Sequence, residues 1–181
     1  MKIYVFLAEG FEEIEAIAPI DIFRRADIEV VTVSVSGEKA VCGAHGITII
    51  ADTIFEDTTF IGDYLLFLPG GMPGTLNLEQ HQGLRNLILQ QADQRKKIAA
   101  ICAAPSVLGK LGLLKGKEAV CYPGFEKNLY EAELCEQKLI KSDNIYTAKA
   151  AGASISFALK IVEDIKGVDQ SQHIAKAIFW D

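Results

Sequence analysis

The stretch Lys97-Ile98-Ala99-Ala100-Ile101-Cys102-Ala103-Ala104-Pro105 decides the fold. Its apolar first half reads as a buried strand that runs straight into Cys102. Small residues and a proline then open a helix over about 103–111, where proline's missing N–H would have no partner anyway. A strand, a cysteine and a helix joined this tightly have the geometry of a nucleophile elbow, which exposes a reactive side chain above the sheet edge. Small neighbours suit such a turn because it crowds its side chains. A helix N-terminus also favours negative charge, which predicts a lowered thiol pKa. The plainer alternative is that Cys102 is a small core residue, since free cysteine is commonly buried.

Working outward, apolar β-rich runs alternate with helical patterns. Lys2–Leu7 and Glu29–Ser34 read as strands around a helix over about 12–26, and Tyr64–Leu68 as a nearly continuous apolar strand. Such runs suit parallel strands covered on both faces. Two short strands near 40–42 and 48–52 form a hairpin turning at Gly43-Ala44-His45-Gly46. The helix over 83–93 places Leu84, Leu87, Ile88 and Gln91 on one side. Later strands are expected near 118–122, 138–141 and 145–148, and helices over 154–166 and about 170–178. The repeated units imply a doubly wound, mostly parallel sheet sandwiched by helices, in one domain over 1–181.

Ligands of such sheets bind beyond the carboxyl ends of the strands. Two further segments reach that edge. Pro69-Gly70-Gly71-Met72-Pro73-Gly74 follows a buried strand, and its glycines let backbone N–H groups approach a ligand closely, as an oxyanion site requires, although a plain turn reads equally well. It is neither G-x-G-x-x-G nor a Walker loop, which disfavours a nucleotide phosphate site. Gly10-Phe11-Glu12-Glu13-Ile14-Glu15-Ala16 carries three carboxylates at a helix start. The helix dipole explains most of them. Glu15 differs, because apolar Ile14, Ala16 and Ile17 surround it, and a carboxyl on an inward face needs a partner or a raised pKa.

Composition narrows the function classes. The chain has 181 residues and a formal net charge of −6 with the signs interspersed, so no basic stripe is present to bind nucleic acid. No apolar stretch reaches membrane-spanning length. Cys42, Cys102, Cys121 and Cys135 form no C-x-x-C pair and lie at no metal-ligand spacing from His45, His81 or His173. The expectation is a cytoplasmic protein with free thiols, no metal and no cofactor. Cys121 and Cys42 read as structural or passively oxidisable, and no histidine stands beside Cys102 in sequence to serve it as a base.

Together these segments resemble the ThiJ/PfpI superfamily, in its small DJ-type branch. The matching pieces are Ala8 through Glu15, Pro19 through Ala26, Leu68-Pro69-Gly70-Gly71, Ala99 through Pro105, and the helix Ser156 through Glu163. The resemblance implies a flavodoxin-like sandwich and a homodimer. It implies Cys102 as nucleophile, Glu15 as the carboxylic acid bonded to its sulfur, and Gly71 and Ala103 as N–H donors to an oxyanion. Arg25 is implied near the dimer interface close to the site. The chain departs from the family at Tyr122-Pro123, where many members carry histidine before proline. It departs again at Ala150-Ala151-Gly152-Ala153-Ser154, in place of G-P-G-T-S, and at Ala44, often arginine. The activity implied is cysteine-dependent, glutathione-independent conversion of small carbonyl substrates such as methylglyoxal, or deglycase chemistry with the same residues. The rival readings are a redox sensor or chaperone-like protein acting through Cys102, with a peptidase last.

Overall fold

The computed structural model describes residues 1–180. Its strands and helices run in chain order as β1 (Lys2–Leu7), α1 (Glu13–Arg25), β2 (Glu29–Ser34), β3 (Ala40–Cys42), β4 (Thr48–Ile50), β5 (Thr53–Ile54), β6 (Tyr64–Leu68), α2 (Gly74–Gln80), α3 (Gln82–Asp93) and β7 (Ile98–Ile101). They continue as α4 (Pro105–Lys110), β8 (Glu118–Ala119), β9 (Glu133–Leu134), β10 (Leu139–Ser142), β11 (Ile145–Ala148), α5 (Ser154–Lys166) and α6 (Val168–Ala177). Seven strands form one sheet in the order β10-β11-β7-β6-β1-β2-β5. Only β10 runs antiparallel to its neighbour. This is the flavodoxin-like sandwich expected from the sequence.

The strands read as unbroken apolar runs because both of their faces are covered. Along β1, Ile3, Val5 and Leu7 enter one core with α1, α5 and α6, while Tyr4, Phe6 and Ala8 enter the other with α3 and α4. In β6, Leu65 and Phe67 take the first side, and Tyr64, Leu66 and Leu68 the second. In β7, Ala99 and Ile101 oppose Ile98 and Ala100. All four residues marked on α3 are buried, including Gln91, whose Nε2 donates to the Tyr64 carbonyl at 2.7 Å. The amide thereby satisfies a strand-end carbonyl that would otherwise be buried unpaired.

The differences lie where local signals are weak. The hairpin of β3 and β4 forms as expected, but the strand expected over 118–122 shrinks to β8, which pairs with β9 outside the main sheet. Helix α4 is shorter than 103–111, because the elbow takes up residues 102–104 before the helical bonds begin. Helix α2 was not anticipated. Its sequence, GTLNLEQ, spans two turns and holds poor helix formers, so tertiary packing of Leu78 and Thr75 sustains it.

Candidate active site

Three segments converge at the carboxyl edge, where β1 meets β6 and the chain's connections change direction across the sheet. That is where ligands of open α/β sheets bind.

Cys102 follows β7 directly with φ of +65°, a left-handed conformation that side chains seldom adopt. The bonds around it hold this backbone in place. Its N–H donates to the Ala148 carbonyl at 2.9 Å, extending the pairing with β11. Its carbonyl accepts from the Tyr122 N–H at 2.7 Å, and the Ala104 N–H closes the turn onto Ile101 at 3.0 Å. Pro105 then occupies the first turn of α4. The elbow read from the sequence is present.

Glu15 comes from the first turn of α1 and is 1% exposed. Its Oε2 accepts the Gly70 N–H at 2.9 Å, while Oε1 is buried without a hydrogen-bond partner. The Cys102 thiol stands beside the carboxyl and favours its ionised form. Burial pushes Glu15 up from 4.5 to about 7, against the opposing influence of the neighbouring thiol and the Gly70 N–H.

The thiol itself departs from expectation. Burial, then the neighbouring Glu15 carboxylate, raise Cys102 from 9.0 to about 12, although the nearby Ala103 and Gly71 N–H groups oppose the rise. The predicted lowering omitted both the burial and the anion beside the sulfur. With Glu15 ionised, the pair rests as a thiol against a carboxylate.

A pH dependence of stability follows. Below 4.5, Glu15 is protonated in both the folded and unfolded chains. Between 4.5 and about 7 only the folded chain holds the proton, so stability falls as pH rises through that window. At ~1.4 kcal/mol per pH unit the loss is on the order of 3 kcal/mol, complete above about 7. Urea unfolding at pH 4.5 and pH 8 should show Glu15→Gln gaining this amount over wild type at the higher pH. Equal pH slopes for the two proteins would refute it.

Gly70 sits between the two reactive groups. A Cβ built there would lie 2.6 Å from Glu15 Oε2 and 2.7 Å from Cys102 Cβ, so only glycine lets them meet. Gly71 has φ of +93°, and a Cβ there would strike the backbone of residues 10–12. Both glycines of Pro69-Gly70-Gly71 are therefore required for close approach.

A cleft of about 220 Å³ opens above Cys102, lined by Glu12, Gly71, Met72, Ala103, Tyr122 and Phe125. Tyr122 thus lines the cleft beside Cys102. Arg25 does not line it. It lies at the far end of α1, about 15 Å along the helix from Glu15, where it pairs with exposed Asp21 at 2.6 Å. Nine residues of α1 intervene, which separates the two ends within this chain.

Sequence reading missed the contact of the hairpin turn with the start of α1. Glu13 is buried and accepts the His45 N–H at 2.7 Å and the Ile47 N–H at 3.3 Å through Oε1, while Oε2 meets His45 Nδ1 at 2.9 Å. Burial pushes Glu13 up, but these bonds outweigh it and hold the carboxyl below its usual range. They raise His45 correspondingly. Glu12 Oε2 lies 3.6 Å from the same ring nitrogen, and the three side chains could together ligate a cation. A pairing 32 residues apart leaves no local sequence signal.

The same fold occurs in solved structures. "Toxoplasma gondii DJ-1, oxidized" superposes with a TM-score of 0.91 at 35% identity, over 99% of this chain and 98% of that one. The glutathione-independent glyoxalase DJR-1.2 of Caenorhabditis elegans is 29% identical over 94% of this chain and 91% of its own length. Protein DJ-1 homolog B of Arabidopsis thaliana is 33% identical over 96% of this chain. The match takes in only 40% of that plant protein, so this chain spans well under half the length of that relative. The profile of the DJ-1/PfpI family matches residues 1–164, which hold β1 through most of α5 and every residue of the cleft. With elbow, buried carboxyl and glycine pair all inside that span, the chain belongs to the DJ-1/PfpI family.

Proposed function

We propose that this protein converts 2-oxoaldehydes such as methylglyoxal to 2-hydroxy acids without glutathione, using Cys102 and Glu15. The observation that carries this reading is the buried Glu15 carboxyl against the Cys102 thiol, raised to about 7 and so tuned to exchange protons near neutrality. The name of the worm relative supports it.

In the first step the Cys102 sulfur bonds to the aldehyde carbon and its proton passes to Glu15. The resulting oxyanion is held by the Gly71 and Ala103 N–H groups and protonated to a hemithioacetal. Glu15, again a carboxylate, removes the C–H proton of the sulfur-bearing carbon to give an enediol. Protonation of the neighbouring carbon yields a lactoyl thioester. Water then cleaves the C–S bond, releasing lactate and the thiol. One carbon is oxidised as its neighbour is reduced, so no external electron acceptor is needed. Release of the same dicarbonyls from adducts on proteins or nucleotides would use the same two residues. Lactate formation from methylglyoxal by freshly reduced protein, with glutathione omitted, tests the reading. No turnover would sink it.

A second reading is oxidation sensing. Cys102 is only partly buried and open to the cleft, so peroxide has access to it. A stable sulfinate at Cys102, detected by mass spectrometry while Cys121 stays unmodified, would favour that role. A cysteine peptidase is disfavoured because no histidine lines the cleft among the described residues.

We further propose a homodimer through α1 and the hairpin. Ile14, Ile17, Ile47 and Ile50 are 54%, 41%, 53% and 68% exposed on one continuous face, which a second copy would cover. Ile47→Glu should shift sedimentation from dimer to monomer. An unchanged dimer would place the interface elsewhere. Among the described residues no helix is long and apolar enough to cross a membrane, and four free thiols fit the reducing cytosol proposed as its compartment.

A further inference from the structure

The cleft above Cys102 is larger and more asymmetric than methylglyoxal requires. Its volume of about 220 Å³ corresponds to about seven waters at ~30 Å³ each, more than a three-carbon dicarbonyl fills. One wall is aromatic. Tyr122 and Phe125 stand edge to face, with centroids 6.5 Å apart and planes at 75°, and so form a corner into which a third flat group fits.

This corner is held in place. The Tyr122 N–H is bonded to the Cys102 carbonyl, the Phe125 N–H to the Tyr122 carbonyl at 3.1 Å, and the Phe125 ring packs on the core beneath α4. Tyr122 is nevertheless 47% exposed, so its ring has a free face.

The other wall carries the Glu12 carboxylate, and no lysine or arginine lines the cleft. His45 Nδ1 lies 2.9 Å from Glu13 and 3.6 Å from Glu12, so one imidazole faces two carboxylates and even when protonated leaves the cluster net negative.

We propose that Tyr122 and Phe125 select 2-oxoaldehydes bearing a flat, uncharged substituent, and that Glu12 rejects those bearing a carboxylate. The proposal rests on the glyoxalase reading of the same cleft. The aryl ring stacks on Tyr122 while the aldehyde carbon meets Cys102, and the covalent steps are those already given, with phenylglyoxal yielding mandelate. A carboxylate on that ring would share a small cleft with Glu12, and like charges brought together in this way discriminate by repulsion.

The experiment compares kcat/KM for methylglyoxal, phenylglyoxal and 4-carboxyphenylglyoxal on wild type, Tyr122→Ala and Glu12→Gln. Wild type should prefer phenylglyoxal over methylglyoxal by roughly tenfold or more, as apolar pocket contacts commonly do. Tyr122→Ala should reduce that ratio by about tenfold. Glu12→Gln should raise the ratio of the carboxylated to the plain aryl substrate by a similar factor, about tenfold, since it changes charge and keeps shape. Ratios that neither substitution moves would overturn the proposal while leaving the glyoxalase reading intact. Saturation-transfer NMR with unreactive acetophenone and 4-acetylbenzoate reads the same walls without turnover. Acetophenone binding that is lost in Tyr122→Ala, with no turnover of any aldehyde, would retain the selective walls and remove the glyoxalase reading. Equal binding of the two ketones to wild type would overturn the role of Glu12.

Discussion

Cys102→Ser is expected to lower lactate formation from methylglyoxal by on the order of 10⁴-fold or more, the loss typical of removing a covalent nucleophile. The substitution keeps the size and the hydrogen-bonding capacity of the side chain, so the elbow and its bonds to Ala148 and Tyr122 remain. What disappears is a sulfur able to bond to the aldehyde carbon. Glu15→Gln should cost on the order of 10²–10⁴-fold, because the amide still fills the buried site yet carries no proton between the two carbons. The wild-type pH profile distinguishes the two roles. With Glu15 near 7 and required as a base, kcat/KM should climb through a limb at about 7 and level off above it. In Glu15→Gln that limb should vanish, and a limb surviving there would assign it to another group. Because the two residues act on one proton, the double variant should be little worse than Cys102→Ser alone.

Gly70→Ala is expected to damage both stability and turnover. Its Cβ would press on Glu15 Oε2 and Cys102 Cβ and would approach the Ile101 carbonyl to 3.0 Å. Neither neighbour can yield. Glu15 is buried, and Cys102 is fixed in a left-handed turn by backbone bonds on both sides. Overpacking of this kind costs about 1–3 kcal/mol, measurable as a lower urea midpoint. The larger effect should fall on kcat. Forcing the carboxyl and the thiol apart by about an ångström misplaces the proton path, which can cost on the order of 10²-fold. A folded Gly70→Ala protein with unchanged kcat would mean that the Glu15–Cys102 contact is not used in the reaction.

Both predictions concern residues visible in the primary structure, but for different reasons. Cys102 declares itself locally: an apolar run, a cysteine, two alanines and a proline are what a strained strand-to-helix turn needs. The β1, β6 and β7 strands were legible for the same kind of reason, since a parallel strand covered on both faces must be apolar throughout. Helix α2 and strand β5 were not, because two turns of GTLNLEQ or two residues of strand carry too little periodicity to stand out. The α1 helix was legible, whereas the partner of its Glu13 was not.

The residue types themselves determined the fold class and the elbow, because burial and turn geometry restrict which side chains can occupy those positions, whereas the pairing of Glu15 with Cys102 was implied only by the family resemblance. Only the tertiary structure decided the protonation of the pair. The thiol pKa depends on how much of the sulfur is buried and on the Glu15 carboxylate 87 residues away in sequence, and the dipole of α4 does not overcome them. It likewise decided that Glu12 and Phe125 share the cleft with Tyr122 and that Arg25 lies outside it. Strand and helix periodicity encode which face a residue points to. Which faces from distant segments meet is set by sheet order and register, and these emerge only when the whole core packs.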